Sequence, residues 1–141
     1  MKLLWIVFLT LLAEAQITNV DIKTITYERK IYNKVLHTLY VKPTINVYTD
    51  KKNYIRFPKE NNFNIVDKCD QSDVVFLSYE SSLVYCADKP IFVDNYNDFI
   101  SIPNVIGAFY YRKGRPQLKL NKDYINQFDL NIDKSLMKYV E

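Results

Sequence analysis

Apolar and polar positions alternate along this chain with three different periods, and each predicts a different kind of element. The first is a continuous apolar run from Leu3 to Leu12, interrupted only by Thr10. From Thr26 onward the period becomes helical. Ile31, Val35 and Leu39 fall on one face, and Tyr32 and Leu36 widen the stripe, so Thr26 to Tyr40 is predicted as an amphipathic helix that Pro43 stops. Thr44 to Thr49 is rich in β-branched and aromatic residues and predicts a strand. Phe63 to Val66 predicts a second, shorter one. Asp73 to Ser78 holds four consecutive apolar residues between polar ends, the mark of a strand buried on both faces in a parallel sheet. Ile91 to Val93, introduced by Lys89-Pro90 and closed by Asp94-Asn95, has the same character. Val105 to Tyr111 and Gln117 to Leu120 flank Arg112-Lys113-Gly114-Arg115-Pro116, which predicts a hairpin with glycine as the left-handed turn residue.

The remaining stretches are shorter or less regular. Ile17 to Lys23 is compatible with a strand or an irregular lead-in. Residues 51 to 64 mix Tyr54, Ile55 and Phe57 with Pro58 and Asn61-Asn62, and carry no clear period. Glu80 to Tyr85 has the length of one helical turn. Asn121 is an N-cap candidate for a helix over Lys122 to Phe128, and Asp133 for a last helix that turns Leu136, Met137 and Val140 toward the core. A helix, several buried strands, a hairpin and closing helices predict a compact α/β domain, with a mixed sheet, packed helices and a C-terminal hairpin followed by helices.

The leading apolar run changes this picture. Lys2 precedes it, Ala13-Glu14-Ala15 follows it, and about ten apolar residues are too few to span a bilayer, which takes roughly 20. Residues 1–15 are therefore expected to be a cleavable signal peptide, and residues 16–141 one exported domain. That domain would lie in the periplasm and would not be embedded in the membrane after cleavage. The net charge of +3 is mild and evenly spread, which argues against nucleic acid as a partner. In an exported chain the two cysteines, Cys69 and Cys86, are expected to pair as a disulfide. Their spacing fits no zinc motif, and the only histidine, His37, lies far from them.

Catalytic chemistry finds little footing. His37 sits on the predicted first helix beside its apolar stripe, where a surface or packing role is the simpler assignment. Ser81 and Ser82 stand outside any Gly-x-Ser-x-Gly turn. Asp67, Asp70 and Asp73 lack the glycine and terminal glutamate of a calcium loop, and two glycines are too few for a phosphate-cradling loop. No metal, cofactor or enzymatic activity is expected. Two groups of residues remain as binding candidates. Tyr110, Tyr111, Arg112, Lys113 and Arg115 combine aromatics with guanidinium and ammonium groups at the hairpin tip, suited to stacking on or clamping a partner. Basic tips also simply keep a sheet edge soluble. Asp50, Tyr79, Asp94, Asn95 and Tyr96 fall just after predicted strands, where α/β sheets gather ligands, although ordinary turn chemistry uses the same residue types.

The C-terminal third carries a longer pattern. Val105-Ile106-Gly107-Ala108-Phe109 leads to the turn at Gly114, then a Leu-x-Leu-Asn strand ends at Asn121. Leu130-x-Ile132 and Leu136-x-x-Tyr139-Val140 follow. This succession resembles the end of the YfiR-like family of small periplasmic proteins. The upstream order, an N-terminal helix, a strand like Ile45 to Tyr48 and an Asp73-Val74-Val75 strand, is similar as well. The resemblance implies a Rossmann-like fold related to half of a periplasmic binding protein. It also implies a non-catalytic role, restraining an inner-membrane signalling protein, typically a diguanylate cyclase, from the periplasmic side. The hairpin would make the contact. The alternative function is a solute-binding accessory protein of a transport system, with the small molecule held at the strand ends. Self-association as a homodimer stays open.

Overall fold

The computed structural model describes residues 22–141. The expected signal peptide, with residues 16–21, lies outside the described residues. Helix α1 covers residues 22–39, so Ile22 and Lys23 are helical and not part of a strand or lead-in. Its stripe of Tyr32, Val35, Leu36 and Leu39 is almost completely buried, each side chain contributing about 1.5–3 kcal/mol by leaving water. Tyr40 still donates to the Leu36 carbonyl at 2.8 Å before Pro43 forces the chain to extend.

Six strands follow: β1 Ile45–Thr49, β2 Phe63–Ile65, β3 Val74–Leu77, β4 Ile91–Val93, β5 Val105–Arg112 and β6 Arg115–Leu120. They form one sheet in the order β2-β1-β3-β4-β5-β6, parallel from β2 through β5, with β6 antiparallel at the edge. The protein is thus an α/β domain with a mixed sheet and packed helices, of the Rossmann-like kind. The parallel order 2-1-3-4-5 is one of the two common doubly wound arrangements, whose order reverses between β1 and β3. All four residues of β3 and all three of β4 are buried, because both faces of the sheet are covered. On one face α1, Phe57, Leu136 and helix α3, Lys122–Gln127, pack over Val47, Phe76, Phe92 and Phe109. On the other, helix α2, Tyr96–Ser101, and the connection through Leu83 and Tyr85 cover Val75, Leu77, Val93 and Ala108.

Several local expectations need correction. Residues 80–85 form no helical turn. Leu83 and Tyr85 point inward while Ser82 and Val84 are exposed, an extended alternation, and Tyr48 Oη holds the segment through the Val84 carbonyl at 2.8 Å. The last helix is only a 3₁₀ turn, Met137–Tyr139, and Met137 is exposed. Here the chain is drawn to the sheet edge instead: Val140 bridges Leu120, and Glu141 N–H donates to the Leu120 carbonyl at 2.9 Å. The hairpin turn is two residues, Lys113-Gly114, both with positive φ, while Arg115 and Pro116 belong to β6. Asn121 caps α3 as expected, accepting from Tyr124 N–H at 3.0 Å, but the helix ends at Gln127. Helix α2 had no periodic signal in the sequence.

Cys69 and Cys86 stand at disulfide-bonding distance, with Cα atoms 5.9 Å apart. The pair joins the connection before β3 to the crossover after it. Asp73 ties down the entry to β3: its carboxylate accepts from Asn46 N–H at 2.7 Å and from Lys42 Nζ at 2.6 Å. His37 lies at this same end, its ring 5.0 Å from that of Phe63 and its Nε2 2.8 Å from the Asn61 carbonyl. It is a packing residue, remote from the strand ends described next.

Candidate functional site

The carboxyl ends of β1 and β3 converge on a buried polar network. Thr49 Oγ1 donates to the Phe76 carbonyl at 2.8 Å, joining two strands where the ladder ends. Asn53, almost fully buried, donates from Nδ2 to Thr49 Oγ1 and Ser78 Oγ, both at 3.2 Å. Its Oδ1 accepts from Arg56 at 3.1 Å. Arg56 Nε in turn lies 3.0 Å from Glu28 Oε2 on α1. That pair is close enough for an ion pair but is not aligned as a hydrogen bond, and both atoms are shut away from solvent. Burial pushes the Glu28 carboxyl above its ordinary range; Arg56 opposes the shift and Asp94 adds to it. Thr49 and Ser78 open two of the strand-end loops that the sequence offered, whereas Asn53, Arg56 and Glu28 were not among its candidates. Glu28 did leave a signal, because a glutamate four residues before Tyr32 stands in line with the apolar stripe of α1.

Beside this network opens a surface cleft of about 620 Å³, lined by Tyr79, Asp94, Asn95, Tyr96, Asn97, Tyr110, Tyr111 and Arg112. Its volume lies within the span of ligand pockets, about 300–1,000 Å³. The structure therefore brings most of both candidate groups to one place: Tyr79, Asp94, Asn95 and Tyr96 from the strand-end loops, and Tyr110, Tyr111 and Arg112 from the hairpin. Three candidates fall outside. Asp50 accepts a hydrogen bond from Ser81 Oγ and braces the loop after β3. Lys113 and Arg115, with Arg112 and Gln117, line a separate hollow of about 550 Å³ on the hairpin tip.

Local chemistry explains how the cleft is held open. Asp94 Oδ1 accepts from Tyr79 N–H at 2.8 Å and from Asn95 Nδ2 at 3.2 Å, joining the loops after β3 and β4. Asn95 caps α2 by accepting from Asp98 N–H at 2.9 Å, which steers the chain out of the sheet directly after β4. The rings of Tyr96 and Tyr110 meet at 5.9 Å on one side of the sheet, and those of Phe109 and Tyr111 at 5.5 Å on the other. Burial, the Glu28 carboxylate and Tyr27 raise the Tyr111 phenol pKa; a phenol hydroxyl can donate as well as accept. The arrangement offers aromatic faces, amide groups, one carboxylate and one guanidinium to an occupant.

The fold is an α/β domain with an open surface cleft at the carboxyl ends of its parallel strands. No family model, curated protein or solved structure matches the chain.

Proposed function

We propose that the chain is an exported, non-enzymatic regulatory domain of the periplasm that binds the periplasmic part of an inner-membrane signalling protein through the strand-end cleft. A diguanylate cyclase is the partner class that the YfiR-like resemblance suggests. The observation that carries this reading is the union of the hairpin aromatics and Arg112 with the strand-end loops in one open cleft. Lys113 and Arg115 line a neighbouring hollow that shares Arg112 with the cleft, and the ion pairs among the described residues engage none of the three tip cations. A cluster of unpaired cations steers a complementary surface and sets partner choice.

A tagged chain would be used to draw partners from cell envelopes, and the purified periplasmic segment of each recovered membrane protein would be titrated against it. Binding weakened at least about tenfold by Tyr111→Ala with Arg112→Ala, in a variant shown to be folded, supports the regulator. A folded chain that engages no such segment overturns it. The cleft volume favours a second reading, a solute-binding accessory protein. A metabolite screen by thermal unfolding tests that directly, since a ligand at 100 times its Kd adds about 2.7 kcal/mol of stability.

A further inference from the structure

The cleft exists because one strand stops early. Val93, the last residue of β4, stands level with Ala108, yet β5 runs on to Arg112. Its last four residues, Phe109 to Arg112, pair with β6 on one side only. On the other side the sheet has a slot one strand wide, bounded beyond by Tyr79 after β3. Two inter-strand spacings give it a breadth of roughly 9.6 Å.

Alternation in the hairpin decides which backbone groups face this slot. A two-residue turn makes Arg112 and Arg115 a hydrogen-bonded pair, so Tyr110 also bonds toward β6, while Phe109 and Tyr111 direct their N–H and C=O groups the other way. Two bonds anchor that parity. Asn121 N–H donates to the Ile106 carbonyl at 2.9 Å, across the hairpin, and the Leu120 carbonyl turns outward to Glu141. Pro116, opposite Tyr111, fits the same pattern, because its position needs no N–H for the hairpin. Beyond the end of β4, the Phe109 carbonyl and the Tyr111 amide and carbonyl thus face the slot. No backbone hydrogen bond outside the strand ladders engages them among the described residues. On the opposite wall, Tyr79 N–H is already taken by the Asp94 carboxylate.

We propose that this slot receives its partner as an extended acidic peptide that continues the line of β4 and pairs with the free edge of β5. The inference rests on the partner-binding reading above and says how the partner is recognised. Peptide N–H groups donate to the Phe109 and Tyr111 carbonyls, and a peptide carbonyl accepts from Tyr111 N–H, the mode in which main-chain bonds give affinity and alternate side chains give selectivity. Successive side chains pass to opposite faces, one against Tyr96 and Tyr110, the next against Phe109 and Tyr111. β-Branched residues suit both aromatic pairs. Charge sets the sense of the peptide: Asp94 lines the slot where β4 ends and Arg112 lines it at the hairpin end, with Lys113 and Arg115 beyond Arg112 in the neighbouring hollow of the tip. Acidic side chains therefore belong at the hairpin end.

The test uses the purified, isotope-labelled protein and amide hydrogen exchange read by NMR. In the free protein Tyr111 N–H is expected to exchange faster than the N–H groups of Tyr110 and Arg112. The probe is a short synthetic peptide of alternating valine and threonine with two glutamates at one end. It should slow Tyr111 exchange at least about tenfold at saturation. A counterpart with lysines in place of the glutamates should bind about tenfold more weakly, and a version N-methylated at alternate residues should not bind. Arg112→Ala with Arg115→Ala should erase the preference for glutamate over lysine and leave the fold intact. A Tyr111 amide already protected in the free protein overturns the proposal. So does a glutamate peptide that fails to bind, binds without slowing that amide, or binds no better than its lysine or N-methylated counterparts. If strand addition falls this way while a membrane partner still depends on Tyr111 and Arg112, the partner-binding reading stands without it.

Discussion

A β-carbon on Gly107 would sit 2.6 Å from Phe92 Cε2 and 2.8 Å from Leu120 Cδ2, both on fully buried side chains, with the Lys119 carbonyl 3.1 Å away. Glycine is required here by close approach. The register between β4 and β5 slips at this point, so that Ile91 pairs with Val105 but Phe92 with Gly107, and the bulge brings the glycine under the Phe92 ring. Gly107→Ala is expected to cost about 1–3 kcal/mol of stability, as overpacking of a filled core does. Urea unfolding with an unchanged slope would measure it. Glu28 gives a prediction of a different kind. Because burial raises its carboxyl in the folded state, the native protein holds this proton more tightly than the unfolded chain. Stability from this group is complete below the ordinary value of 4.5 and is lost as pH rises through the raised one. Glu28→Gln cannot ionise. The unfolding free energy of the unaltered protein minus that of Glu28→Gln should therefore fall as pH climbs above 4.5 and then level off. A difference that grew with pH would show that attraction to Arg56 outweighs burial.

At the scale of elements, what could be read from the sequence depended on length. Helix α1 is long enough for its stripe to declare a period, and β3 and β4 are apolar runs that only a doubly covered strand explains. The hairpin announced itself through Gly114, although its turn proved tighter than the five residues the sequence suggested. Lys113 and Gly114 adopt φ of 52° and 77°, the mirror-image turn whose twist matches that of its strands. A side chain on Gly114 would meet nothing within 4 Å. Gly114→Ala should thus pay only for the left-handed backbone, about 1–2 kcal/mol, and calorimetry would separate this from the packing cost at Gly107. Helix α2 leaves no periodic signal in the sequence because six residues cannot establish a helical period; only its cap, Asn95 with Asp98 three residues on, marks it. The closing helix was misread for a tertiary reason, since nothing local to Leu136–Val140 tells that β6 offers Leu120 as a pairing site. The candidate site was legible as two separate groups of residues. Their union was not, because it depends on β4 ending four residues before β5, a fact of register rather than of sequence.

Across the whole molecule, the strand order puts its demands on the crossovers. Parallel neighbours are usually joined through a helix, yet the connection from β3 to β4, residues 78–90, contains none. Besides the bonds from Tyr48 Oη to the Val84 carbonyl and from Asn104 Nδ2 to the Ala87 carbonyl, three devices hold it. Asp94 fixes Tyr79 at its start, Asp50 fixes Ser81, and the Cys69–Cys86 pair fixes its far half to the connection before β3. Only the last of these depends on redox state. Removing the bond through Cys86→Ser should lower stability by about 3 kcal/mol, the chain-entropy value for a loop of about this length. The loss should not be uniform. Residues 82–90 are expected to exchange their amides faster, while Tyr79 stays protected, because the carboxylate that holds it belongs to the sheet side of the cleft. Hydrogen exchange resolved along the chain distinguishes this from a general weakening, in which α1 and the strands would lose protection in proportion. If Tyr79 opened together with residues 82–90, the crossover would be a single unit and its disulfide would govern the wall of the cleft. If Tyr79 holds, the cleft is built on the sheet and survives reduction, and partner binding should change by less than about twofold between the oxidised and reduced protein.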